Sequence, residues 1–168
     1  MTRSIRAVAT AAVVFLAIAP AVDAQVNNRF SIGAGASFPT GRFGDAFGTG
    51  YHVLAAIDFD RPASPLSFRL DGMFNEFEHE TFDDASVRVF GLIGNAVIRS
   101  APTGPYLSGG IGVYGTKPKG GDSNSDVGFN IGGGLRFELS GFSAFLEARF
   151  HQVEQNLRFV PLTFGVTF

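Results

Sequence analysis

Two charged pairs in this 168-residue chain have the spacing to do chemistry. Arg69 and Asp71 form one, Glu147 and Arg149 the other, and in each pair the members are two residues apart. In extended backbone, residues two apart share a face, so each pair would project from one side of a strand. Such groups could lock together as a neutral network, line a path for ions, or supply a catalytic carboxylate. Isolated charges in a dry interior are costly and paired ones are tolerated. That favours a structural network, in which Glu147 and Arg149 are expected to meet Arg69, Asp71 or Arg136.

The other reactive residues carry weaker signals. His52, His79 and His151 could ligate a metal, but they lack close ligand spacing. The acidic stretch 76–84 lacks the Asp-x-Asp-x-Asp-Gly order of a calcium loop and reads as a solvated loop. Gly132, Gly133 and Gly134 sit inside a strand pattern with no helix following, so they form no phosphate loop. No Ser/His/Asp arrangement is legible. Cysteine is absent, which removes disulfides and thiolate metal sites. No catalytic residue, metal or cofactor is assigned.

The elements that must position these residues are short alternating segments. Eight are readable, at about 30–38, 51–59, 66–75, 87–99, 106–114, 127–138, 143–152 and 159–168. In the sixth, Val127, Phe129, Ile131, Leu135 and Phe137 alternate with Gly128, Asn130, Gly132, Gly134 and Arg136. The fourth is apolar on both faces, so a bulge is expected there. In the last, Leu162, Phe164, Val166 and Phe168 share one face, and Thr163, Gly165 and Thr167 the other.

Apolar residues outside with small and polar residues inside is the pattern of a barrel crossing a membrane. Lipid offers no hydrogen-bond partner, so a sheet crosses only if it closes. Aromatics at the strand ends agree, since membrane barrels carry a girdle at each interface. Phe30, Phe59, Phe137 and Phe168 would form one, and Phe38, Tyr51, Phe74, Phe129 and Phe150 the other. Long connections at 39–50, 76–86, 115–126 and 153–158 alternate with short ones at 60–65, 100–105 and 139–142. External loops are the long ones in such barrels, and 115–126 reads as a mobile surface loop. The expected fold is all-β: an eight-stranded antiparallel up-and-down transmembrane β-barrel over 25–168.

A cleavable signal peptide is expected at 1–24. Arg3 and Arg6 precede an apolar run, and Val22, Asp23 and Ala24 offer a cleavage site. The formal net charge of −2 argues against nucleic-acid binding, and loss of the leader makes the balance one unit more negative.

The signal peptide, the Gly-rich strand opening at Pro105 and Tyr106, the strand Phe145–His151 and the segment Pro161–Phe168 together resemble the small outer-membrane β-barrel domain family. That family includes the eight-stranded barrels of the OmpA and OmpX type. The resemblance implies residence in the bacterial outer membrane among lipid and lipopolysaccharide. It also implies handling by periplasmic chaperones and by the barrel-assembly machinery, for which Leu162, Phe164, Val166 and Phe168 resemble the recognition signal. No peptidoglycan-binding domain is read after the barrel, so an anchoring role is not implied.

The resulting expectation is a non-enzymatic, monomeric barrel with a structural or surface-interaction role through its loops. Two alternatives stand beside it. One is a lipid-modifying deacylase on the same barrel, for which the His-x-Ser pattern fails at His151, followed here by Gln152 and Val153. The other is a narrow ion pore. A soluble lipocalin-like barrel would need the opposite placement of apolar and polar faces.

Overall fold

The computed structural model describes residues 27–61, 64–79, 85–153 and 157–168. The expected signal peptide lies outside the described residues, as do Glu80, Asp83 and Asp84 of the acidic stretch.

Eight strands follow in chain order: β1 (Asn27–Pro39), β2 (Gly50–Asp60), β3 (Leu66–Glu78), β4 (Ser86–Arg99), β5 (Gly104–Pro118), β6 (Asn124–Leu139), β7 (Phe142–Val153) and β8 (Leu157–Thr167). A 3-10 turn, Gly41–Phe43, lies between β1 and β2. Each strand pairs antiparallel with its sequence neighbour, and β1 pairs with β8, so the sheet closes. The closing seam reaches Phe168: its N–H donates to the Phe30 carbonyl at 2.8 Å, and the Phe30 N–H returns a bond to the Phe168 carbonyl at 3.2 Å. Following the register around the ring returns to β1 about ten residues from the start. Such a stagger obliges the strands to tilt, typically ~35–45° from the barrel axis.

Alternation decides which face meets what. Phe164 and Ile131 are each 63% exposed on the outer wall, whereas Glu147 and Arg149 are 1% and 2% exposed inside. The barrel is thus inverted relative to a soluble one: apolar side chains cover its exterior, and charged ones fill its axis. The interior of an eight-stranded barrel is just wide enough for side chains to fill.

Three expectations need correction. β4 has no bulge: its register with β3 and β5 is continuous from end to end. Val87, Val89, Ile93 and Val97 simply face inward, so the strand is apolar on both sides but geometrically regular. The region 115–126 is mostly strand, and only 119–123 connects β5 to β6. The contrast in connection length is also weaker than expected. At the end where β1 begins (the lower end) the connections are 61–65, 100–103 and 140–141, and at the upper end 40–49, 79–85, 119–123 and 154–156. The strands continue upward where loops were expected. At the lower end Gly141 takes a positive φ of 89° in the tightest turn, a conformation that glycine adopts without a Cβ clash.

The ladder between β7 and β8 is interrupted near Pro161, between the pairs Ala148 with Leu162 and His151 with Phe159. Proline has no N–H to donate there.

Candidate functional site

The middle of the lumen is occupied by four charges from opposite walls. β3 supplies Arg69 and Asp71, and β7, four strands away around the ring, supplies Glu147 and Arg149. Arg69 Nη2 donates to both Glu147 carboxylate oxygens at 2.9 Å. Arg149 Nη1 donates to Asp71 Oδ2 at 2.6 Å, and Arg149 Nε lies 2.9 Å from Glu147 Oε1. Arg69 Nε and Asp71 Oδ1 are 2.9 Å apart, an ion pair without the alignment of a hydrogen bond. Each cation thus touches both anions.

Neutral groups complete the quartet. Tyr106 Oη donates to Glu147 Oε2 at 3.0 Å, and Asn95 Nδ2 donates to Asp71 Oδ2 at 2.9 Å. Asn130 Nδ2 in turn donates to Asn95 Oδ1 at 2.8 Å. Glycine makes the room. A Cβ on Gly132 would meet the Ala148 carbonyl oxygen first and lie 2.8 Å from Arg149 Cγ, and one on Gly134 would meet the Leu146 carbonyl oxygen first and lie 2.6 Å from Tyr106 Oη. Small residues on β6 are therefore what let long side chains cross the axis. Each carboxylate is in contact with both guanidinium groups.

Arg136 does not join this quartet. It lies lower in the lumen, 3.7 Å from Asp58 Oδ2 through its Nη2. The register explains the separation. Glu147 pairs with Gly134, two residues above Arg136 on β6, and Arg136 pairs with Gly104 at the start of β5. Asp58 also accepts from Ser31 Oγ at 2.9 Å and lies 3.5 Å from Arg99 Nη2. Arg99 Nη1 reaches both oxygens of Asp60 at 3.0 and 3.1 Å. Asp58 is the partner the sequence reading missed, although its inward phase on β2 was legible.

Above the quartet, apolar side chains join the polar filling of Ser37, His52 and Asn75. The 3-10 turn folds Phe43 into the mouth, where its ring centroid lies 4.8 Å from Phe47 and 5.0 Å from Phe77. Phe77 contacts Phe159 at 5.6 Å, and Phe159 stacks on His151 at 5.0 Å. Phe77 continues the inward phase of β3 two residues beyond Asn75. Phe43 had no periodic signal at all.

The histidines are separate members of this filling. His52 Nε2 bonds Thr163 Oγ1 at 2.8 Å, and His151 Nδ1 bonds Tyr114 Oη at 2.9 Å. His79 pairs with Phe47 in an isolated bridge at the mouth. Among the described residues, no three His, Cys, Asp or Glu side chains gather as metal ligands.

On the outer wall, Phe30, Phe59, Phe137 and Phe168 point outward near the lower end. Phe142 joins this set, 6.5 Å from Phe168. Phe38, Tyr51 and Phe129 are exposed near the upper end, and Phe74 and Phe150 are half-buried there. Phe74 lies 6.2 Å from Tyr51 and 5.0 Å from Phe90. Leu162 and Phe164 are exposed on β8, and Val166 is half-buried. At the upper rim, Thr116, Pro118, Asn124 and Asp126 line a hollow of about 440 Å³ with Val153 and Leu157.

The family described as outer membrane protein beta-barrel domain matches residues 9–168. Neisserial surface protein A (NspA) superposes with a TM-score of 0.65 at 14% identity, over 83% of this chain and 95% of that one. Ail, the attachment invasion locus protein of Yersinia pestis, gives 0.54 at 15% identity, over 84% and 97%. The N-terminal β-barrel domain of Pseudomonas aeruginosa OprF gives 0.52 at 17% identity, over 86% and 100%. At these identities the likeness is one of fold alone. Among curated proteins, none matches this chain.

Proposed function

This chain belongs to the outer membrane protein beta-barrel domain family, whose place is the Gram-negative outer membrane, and on that premise we propose that it is a non-enzymatic, plugged barrel acting from its outer rim. The observation that carries the reading is the filled lumen. The charge quartet ties opposite walls together, and the Phe43–Phe77–Phe159 cluster closes the mouth above it. A barrel so filled contributes rigidity to the membrane and displays its upper strand ends to the exterior. The names of two structural neighbours, a surface protein and an attachment protein, are in keeping with that display.

The same reading has the leader at 1–24 removed on export. Chaperones then deliver the chain to the assembly machinery, which reads the Leu162–Phe168 face, and the barrel works as a monomer. Its lower end faces the periplasm.

Planar-bilayer recording of the refolded protein tests the plug. Stable stepwise conductance under either voltage polarity would replace the structural reading with a pore. Mass spectrometry of lipid A with and without expression tests the enzyme alternative. Loss of an acyl chain that depends on the protein would establish lipid modification instead.

A further inference from the structure

We infer that the outer wall carries a subsite for the phosphorylated head of an outer-leaflet glycolipid, formed by Arg88, Lys117 and Ser125 around Gly115. This rests on the membrane placement given above and extends it to particular residues.

Four outward-facing side chains, beginning with the upper aromatic Tyr51, form a row across four strands. Tyr51 on β2 pairs with Glu76 on β3, Glu76 with Arg88 on β4, and Arg88 with Lys117 on β5. The row has internal order. Tyr51 Oη donates to Glu76 Oε2 at 2.7 Å, and Arg88 Nε donates to Glu76 Oε1 at 3.0 Å. Glu76 therefore holds the Arg88 fork by its Nε edge, leaving both terminal nitrogens free among the described residues. The Arg88 side chain is 55% exposed. Lys117, on the next strand, is exposed and has no anionic partner among the described residues. Within the row Glu76 is engaged by Arg88 and Tyr51 and not by Lys117, and Glu78, exposed two residues above it on the same face of β3, pairs with Ser86.

The height of this pair identifies its ligand. Phe90 lies two residues below Arg88 on the same outer face, about 7 Å along the strand at ~3.3 Å per residue. It packs against Phe74. Aromatics of this kind sit where hydrocarbon meets headgroup, so Arg88 and Lys117 lie at headgroup level.

Beside them the wall is indented. Gly115 pairs with Phe90 on one side and Ser125 on the other, and a Cβ placed there would meet nothing nearer than the Asn124 carbonyl oxygen at 4.0 Å. The indentation has an aromatic wall, a hydroxyl and two cations above. That arrangement suits a phosphate joined to a sugar ring, with acyl chains running down over Phe90 and Ile111. Arginine meets phosphate oxygens through paired N–H donors, and lysine adds a point charge beside it.

The test is lipid retention by the intact barrel, read by native mass spectrometry after refolding in mixed micelles. Bisphosphorylated lipid A, its dephosphorylated form and phosphatidylglycerol are the probes. Wild type is expected to retain one bisphosphorylated lipid A about tenfold more strongly than either other lipid, since charge-assisted bonds are at stake. Arg88→Gln with Lys117→Gln should abolish that preference. Gly115→Leu keeps both cations, fills the indentation and should also abolish it. Millimolar inorganic phosphate should not displace the lipid; displacement would reveal a site for free phosphate and end the proposal. Equal retention of the phosphorylated and dephosphorylated forms would overturn it, as would retention of phosphatidylglycerol at the lipid A level or wild-type preference in both variants. Heat-modifiable gel migration reports folding separately, so a properly folded barrel without lipid preference leaves the plugged-barrel reading intact.

Discussion

At the scale of the residue, the quartet sets the largest single energies in the lumen. Removing one partner of a buried ion pair leaves an uncompensated charge and typically costs ~3–5 kcal/mol. Glu147→Gln leaves Arg69 and Arg149 sharing Asp71 alone, so urea unfolding of the refolded barrel should show a loss near that size. Replacing Arg69 by Met in the same background should cost less than the sum of the two single changes, because each has already broken the same contact. An additive double variant would mean that the pair is energetically idle. Gly134→Val drives a side chain toward Tyr106 Oη. Overpacking of this kind costs ~1–3 kcal/mol, and the Tyr106 bond to Glu147 should be lost with it. Alternation alone indicated that Arg69, Asp71, Glu147 and Arg149 face one way. Counting from the lower turns puts the two pairs at similar heights, but the level of Arg136 depends on the stagger of all eight strands together. That is why Arg136 was grouped with the quartet while its actual partner, Asp58, was left out.

At the scale of the element, the phase of a strand is legible wherever its two faces differ chemically. β6 alternates apolar residues with glycine and polar residues, and the structure follows it closely. In β4 both faces are apolar, so the sequence held no sign of its regular register, and irregularity was the wrong inference. Strand ends were harder still. Beyond the membrane, polar residues occupy both faces of the β5–β6 hairpin, so 115–118 and 124–126 read as loop, although Gly115 and Thr116 pair with Ser125 and Asn124, and Lys117 and Pro118 with Arg88 and Val87. The 3-10 turn is the least legible element, because Phe43 is one aromatic in a glycine-rich connection and only its tertiary contacts order it. Phe43→Ala should loosen that connection while sparing the barrel, seen as faster amide exchange across 41–48 with protection of β1 and β2 unchanged. The last strand permits a different separation. Phe168 is 63% exposed on the outer wall, so Phe168→Ala opens no interior cavity; the variant should still refold, losing at most the transfer of one ring to lipid, about 1.5–3 kcal/mol. If the Leu162–Phe168 face is read during assembly, the same substitution lowers the amount of barrel in the outer membrane of cells several-fold. Equal amounts of wild type and variant there would remove the assembly role.

At the scale of the whole molecule, stability depends on depth as well as on side. A lysine at Ile131, well inside the apolar band, should cost ~2–4 kcal/mol in lipid, and one at Phe38 near the interface only ~0–1 kcal/mol. Equal costs at the two positions would contradict a bilayer around this wall. The overall topology was open to inference from eight alternating segments because closure is the only way a sheet can satisfy its edges in lipid. The filling of the mouth was not, since it depends on contacts between distant elements. One further consequence belongs to the seam where Phe30 and Phe168 exchange hydrogen bonds. β1 and β8, the first and last strands in chain order, are mutual neighbours, so the cylinder cannot seal until both are in place. Until then both flanks offer unpaired peptide groups to any passing strand, and joining them demands a loop closure across nearly the entire polypeptide, the slowest kind of native pairing. Time spent unsealed in water, rather than the depth of the final energy minimum, then governs how many molecules arrive and how many aggregate on the way.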